Sequence, residues 1–201
     1  MSPLAFGLGK SRGALFDPAA FYSNYIVLYF NWTDGKDLDI ITSFISPNIS
    51  GECGFNRTPG TAITNGAGNI TYMKWGNDNS EDTSGYEGIY IDVEALKQIP
   101  GGLTNNEIEL DLRCIWRAEV GTDPVILTAT GYQGGTMQLE SETPNVPGFG
   151  FLNTTASQTF INFKESKGKQ ITDINRENNG QRVARVKLKL SEFVLEFVED
   201  D

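Results

Sequence analysis

Glu107-Ile-Glu-Leu-Asp-Leu-Arg-Cys114 alternates without a break. Ile108, Leu110, Leu112 and Cys114 fall on one side, and Glu107, Glu109, Asp111 and Arg113 on the other. A two-residue period is that of a strand with one dry face and one wet face. The same pattern or a short apolar run recurs at 24–32, 38–45, 69–75, 88–93, 124–130, 135–140 and 158–163. A final stretch, 182–198, alternates through Val186, Leu188 and Leu190, then changes parity near Ser191-Glu192 and resumes at Phe193, Leu195 and Phe197. We expect a β-bulge or a turn at that point.

Helix is scarce. Asp92-Val-Glu-Ala-Leu-Lys-Gln-Ile-Pro100 fits one or two turns, with Asp92 as N-cap and Pro100 as the stop. Many short strands between Gly-, Pro- and Asn-rich turns predict an all-β fold, an antiparallel β-sandwich with one short helical turn. The stretches 50–68 and 141–150 read as loops, and 164–180 as a polar connection. The expected core is Ile26, Leu28, Phe30, Ile108, Leu110, Leu112, Phe193 and Leu195.

Residues 1–20 stand apart as an extended arm, leaving 21–201 as a single sandwich domain. Leu4, Phe6, Leu8, Leu15 and Phe16 offer apolar anchors without a strand or helix period, while Gly7, Gly9 and Gly13 deny the segment a stable element of its own. Such a segment needs a surface to lie on, and a neighbouring subunit supplies one.

Charge narrows the partners. A net charge of -10 argues against nucleic acid, whose phosphates demand concentrated positive charge. Residues 164–189 nevertheless carry net +5, with net -15 elsewhere. That split is either an ordinary solvated surface or a head-to-tail contact between copies. The longest apolar stretch, Tyr25 to Phe30, is too short to span a bilayer. With no signal-peptide pattern at the start, we expect a chain made in the cytoplasm, without a membrane partner, and open to incorporation into a virion.

Chemistry is limited by what is missing. With no histidine, imidazole bases, catalytic triads and imidazole zinc sites are ruled out. Cys53 and Cys114 have no metal-ligand or redox spacing. Five Asn-x-Ser/Thr sequons, at Asn31, Asn48, Asn56, Asn69 and Asn153, read as chance in a chain without a secretory signal. Gly9-Lys10-Ser11 lacks the upstream glycine and strand of a P-loop. Asn77 to Gly88 fails as an EF-hand, with Asp82 at the sixth position and Gly88 at the twelfth.

Two acidic clusters remain. Asp34-Gly-Lys-Asp37-Leu-Asp39 follows the first apolar run, and Trp75-Gly-Asn-Asp78-Asn79-Ser-Glu-Asp82 leads through Glu87 into Ile89-Tyr-Ile-Asp92-Val93. Asp, Asn, Gly and Ser also make ordinary turns. Carboxylates bunched in loops repel unless a cation sits among them, and hard cations such as calcium take six to eight oxygens. We expect Asp37, Asp39, Asp78 and Asn79 to converge on calcium.

The clusters carry a family resemblance. Tyr29-Phe-Asn-Trp32 with Asp37-Leu-Asp39 resembles the signature of tellurium-resistance TerD-type domains. Gly76-Asn-Asp-Asn79 and Glu87-Gly-Ile-Tyr-Ile-Asp-Val93 are similar to that family's Gly-Asp-Asn loop and the strand after it. The likeness covers roughly residues 25–116; Asn77-Asp78 departs from the family's loop, and the arm replaces its opening strand. It implies a calcium-binding β-sandwich without established enzymatic activity, with Asp37, Asp39, Asp78, Asn79 and Glu87 as the corresponding ligands.

Two classes of function follow. The first is a non-enzymatic structural subunit of a larger assembly, such as a phage virion component, that binds other protein subunits through its arm. The second is a free calcium-binding stress-response protein of the TerD kind. Paired carboxylates also leave room for a glycosidase or a carbohydrate-binding module, although nothing marks one pair as catalytic.

Overall fold

The computed structural model describes residues 22–33, 37–57, 61–79, 85–116, 125–140, 150–154, 159–165 and 182–198. The arm, with Leu4, Phe6, Leu8, Leu15 and Phe16, lies outside the described residues, as do 141–149 and 166–181.

The fold is an antiparallel β-sandwich. In chain order the strands are β1 (Tyr25–Trp32), β2 (Leu38–Phe44), β3 (Cys53–Gly54), β4 (Ala62–Thr64), β5 (Thr71–Trp75) and β6 (Gly85–Asp92). After the helix α1 (Val93–Lys97) come β7 (Glu107–Trp116), β8 (Ile126–Gln133), β9 (Met137–Leu139), β10 (Phe151–Asn153) and β11 (Thr159–Asn162). The last three are β12 (Lys164–Glu165), β13 (Arg182–Lys189) and β14 (Val194–Val198). One six-stranded sheet, A, runs β11-β8-β1-β6-β5-β4 and the other, B, runs β12-β14-β13-β7-β2-β3. A separate β9-β10 ribbon completes the set. All ladders are antiparallel except the two-residue pairing of β12 with β14.

Position in the sheets explains the sequence patterns. β1 is central in sheet A, and the β9-β10 ribbon shares its outer side. Tyr29 exchanges hydrogen bonds with the Phe151 backbone, and the rings of Tyr90 and Phe151 lie 5.7 Å apart. A strand covered on both faces reads as a continuous apolar run, as Tyr25–Phe30 does. β7 in sheet B keeps Glu107, Glu109 and Arg113 half-exposed on one face, where Asp111 alone is buried, and so alternates. Its Ile108, Leu110, Leu112 and Cys114 join Ile26, Leu28, Phe30, Ile89 and Ile91 from sheet A in one hydrophobic cluster. All eight expected core residues are buried.

On the wet face of sheet B, Arg185 pairs with Glu109 at 2.6 Å, Lys187 with Glu107 at 3.2 Å, and Lys189 with Glu196 at 2.7 Å. Arg185, Lys187 and Lys189 of β13 are thus matched by acids on the strands flanking it.

The helix forms where its cap predicts: the Asp92 carboxylate accepts from the Ala95 N–H at 2.8 Å. At 190–193 the parity change is a turn, with Phe193 at φ 54°. The supposed loop 50–68 contains β3 and β4, and the polar connection from 164 opens with β12. These pieces are two or three residues long, too short to show a period. No helix among the described residues is long and apolar enough to cross a membrane.

Candidate metal centre

The two acidic clusters meet at one end of the sandwich. Trp32 at the end of β1 pairs with Gly85 at the start of β6, and Trp75 at the end of β5 pairs with Ile89. In sheet B, Leu38 at the start of β2 pairs with Trp116 at the end of β7. All three tryptophans of the chain close strands here, and each is nearly buried. They give the end of the core an apolar floor, above which charge interactions are strong.

Asp37 and Asp39 are two residues apart at the entry to β2, so a strand's period puts both carboxylates on one side. Asp78 comes from the segment after β5, where the Gly76 N–H bonds the Gly88 carbonyl at 2.9 Å and holds that segment against β6. One oxygen from each of Asp37, Asp39 and Asp78 lies within 4.8 Å of the others. Two oxygens on opposite sides of a calcium ion, each at 2.3–2.6 Å, stand roughly 4.6–5.2 Å apart. Three carboxylates spaced like this can hold a metal ion. Asp39 is wholly buried, whereas Asp37 and Asp78 are half-buried, so the set faces outward from a dry base.

Glu87 and Asn79 build the wall beside this set. Glu87 is fully buried and is not one of the three converging acids. Its Oε2 accepts from the Trp75 indole N–H at 3.0 Å, and its Oε1 from the Asn79 backbone N–H at 3.0 Å. One carboxylate thereby ties the end of β5 to the segment carrying Asp78. Burial pushes the Glu87 carboxyl well above the usual carboxylate range. The two donated hydrogen bonds oppose that rise, and the charges of Asp39 and Asp78 add to it. The Asn79 side-chain amide donates to the Tyr86 carbonyl at 3.3 Å, which orients its oxygen. Asp34, Glu81 and Asp82 lie outside the described residues.

Gly85 was not singled out in the sequence. A Cβ there would meet the Asn79 side-chain amide and the Trp32 ring, at 2.8 Å from Cζ2. Only glycine lets β6 start beneath both, and no periodicity reports such a close approach. Trp116 was missed likewise, being readable only as the last apolar residue of its strand.

Among the described residues, no reactive thiol adds to this end. Cys53 and Cys114 are buried and free. Burial raises the Cys53 thiol to about 12, against a backbone hydrogen bond to Trp75 that lowers it, and pushes Cys114 up as well. Neither is a thiolate at neutral pH. The described donors near Asp39 are therefore oxygens, the preference of hard cations.

No family model, curated protein or solved structure matches the chain.

Proposed function

We propose that this chain is a non-enzymatic, calcium-stabilised β-sandwich that serves as an interaction subunit of a larger assembly. The observation that carries the metal part is the convergence of Asp37, Asp39 and Asp78 from two separate segments within 4.8 Å. Calcium suits the site because it accepts irregular oxygen sets on loops, whereas magnesium demands near-octahedral geometry. Asn79 adds an amide oxygen to the wall, and Glu87 supports the ligands from behind. A cation here joins β2 of sheet B to the segment leaving β5 of sheet A, and so staples the two layers.

The assembly part is supported by apolar surface. Ile126, Phe160 and Leu152 are each more than half exposed, on or beside sheet A, and the arm anchors add five more apolar side chains. A phage virion is one assembly that uses such arms. The alternative, a free TerD-like calcium protein, shares the metal site and differs in remaining monomeric. Sedimentation velocity of the full chain in calcium and in chelator tests the proposal. A concentration-dependent oligomer strengthened by calcium is expected. A monomer in both conditions would leave only the free-module reading.

A further inference from the structure

Glu87 occupies a slot that the sandwich otherwise fills with apolar side chains. Along β6 it points inward with Ile89 and Ile91, and all three are wholly buried. A buried carboxylate costs folding free energy unless donors are aimed at it. Both of its donors come from the metal end of the fold. The Trp75 indole N–H reaches Oε2 and the Asn79 backbone N–H reaches Oε1, each at 3.0 Å. An isoleucine would fill the slot without that cost, but it would hold neither donor.

The place where those bonds act explains the carboxylate. Asp39 is fixed within β2, opposite Ile115 of β7. Asp78 lies outside any strand, in the segment that follows Trp75. Three carboxylates whose oxygens come within 4.8 Å repel one another until a cation joins them, and the side without a strand is the one that gives. Three bonds to β6 oppose that retreat. The Gly76 N–H meets the Gly88 carbonyl at 2.9 Å, the Asn79 side-chain amide meets the Tyr86 carbonyl at 3.3 Å, and the Asn79 backbone N–H meets Glu87. Of the three, only the Glu87 bond ends on a side chain with an anchor of its own. The Trp75 indole fixes that carboxylate, and the Trp75 backbone N–H is in turn bonded to the Thr61 carbonyl at 2.9 Å.

We infer that Glu87 is a positioning residue for the cation. It gives no ligand oxygen; anchored by Trp75, it grips Asn79 and so holds Asp78 in binding position before the ion arrives. This rests on the calcium reading above and names the element that sets its affinity. Two observations separate this role from that of a ligand. Glu87 is not among the acids whose oxygens converge, and each of its oxygens already accepts an N–H. Groups that orient a ligand without touching the metal govern affinity, because the order they supply is not left for the ion to impose. Trp75, which offers no oxygen from its side chain, then matters to a cation it never meets.

The test is calorimetric titration of calcium into four chelator-treated full chains: native, Glu87→Gln, Trp75→Phe and Trp32→Phe. Glutamine keeps the shape of the side chain but sets its amide against one of the two N–H donors. Phenylalanine at position 75 removes the indole donor and no oxygen. Trp32 is the control for bulk, since its indole nitrogen is buried without a hydrogen-bond partner among the described residues. Glu87→Gln and Trp75→Phe should each weaken calcium binding about 10–100-fold with the number of ions unchanged, while Trp32→Phe stays close to native. Hydrogen exchange of the native chain in chelator needs no variant: the Trp75 indole and Asn79 amide protons should already be protected. Rapid exchange of both would show that the ion creates the arrangement, overturning the inference. Weakening in Glu87→Gln alone would make Glu87 a ligand, and equal weakening in both tryptophan variants would assign the effect to bulk; either result overturns it. Native-strength binding in Glu87→Gln would overturn it and leave the calcium reading standing. A native chain that binds no calcium would overturn both.

Discussion

Replacing Asp39 by Asn keeps the shape of the side chain and removes one of the three charges that converge within 4.8 Å. At a calcium concentration a hundredfold above the dissociation constant, the native chain gains about 2.7 kcal/mol. For a domain of this size each kcal/mol moves the melting temperature by roughly 2–4 °C, so calcium should raise it by roughly 5–11 °C. Losing a carboxylate from a set of three should weaken binding on the order of a hundredfold, leaving the same calcium concentration near the new dissociation constant. The gain then falls to about 0.4 kcal/mol, or about 1 °C. The assay is a pair of thermal melts, in calcium and in chelator, for the native chain, Asp39→Asn and Asp111→Asn. Asp111 is a buried acid outside the converging set, so its variant should keep the full calcium shift. An undiminished shift in Asp39→Asn, or equal loss in both variants, would refute the assignment.

Leu110→Ala empties a fully buried position between the sheets and should cost about 2–5 kcal/mol in chemical denaturation; a cost below 1 would place the residue off the core. Gly85→Ala should press on Trp32 and the Asn79 amide, costing about 1–3 kcal/mol and reducing the calcium shift, both read from the same melts. The Arg185 hydrogen bond, with help from Lys187, holds Glu109 below its usual carboxylate range. A depressed folded value means stability that is present above the unfolded pKa of about 4.3 and lost as pH falls through the folded one. Solvent screening limits that contribution to about 0.2–1 kcal/mol, and Glu109→Gln should flatten stability-against-pH curves between about pH 5 and pH 3 by that amount.

The strands that could be read from sequence are those whose surroundings impose a simple pattern. β7 alternates because Glu107, Glu109 and Arg113 stay half-exposed on one side, and β1 is apolar throughout because it is covered on both. β3, β4, β10 and β12 escaped because two or three residues carry no period, and their pairing depends on neighbours distant in the chain. At the candidate metal centre, Asp37 and Asp39 were legible as an Asp-x-Asp at a strand entry, and Asp78 as part of an oxygen-rich loop. Glu87 was legible as an acid, but its hydrogen bonds to Trp75 and Asn79 follow from a register that sequence does not display. Gly85 was invisible for a related reason, since what demands a glycine is a ring and an amide brought in by β1 and the segment after β5. The basic stretch near the C-terminus drew attention by its charge, yet Arg185, Lys187 and Lys189 find their acids on adjacent strands.

Calorimetric titration of calcium into the chelator-treated full chain tests the central claim most directly. The account predicts saturable binding of one or two ions, abolished or weakened on the order of a hundredfold in Asp39→Asn and unchanged in Asp111→Asn. Absence of binding heat, confirmed by an unchanged melting temperature in excess calcium, would contradict it.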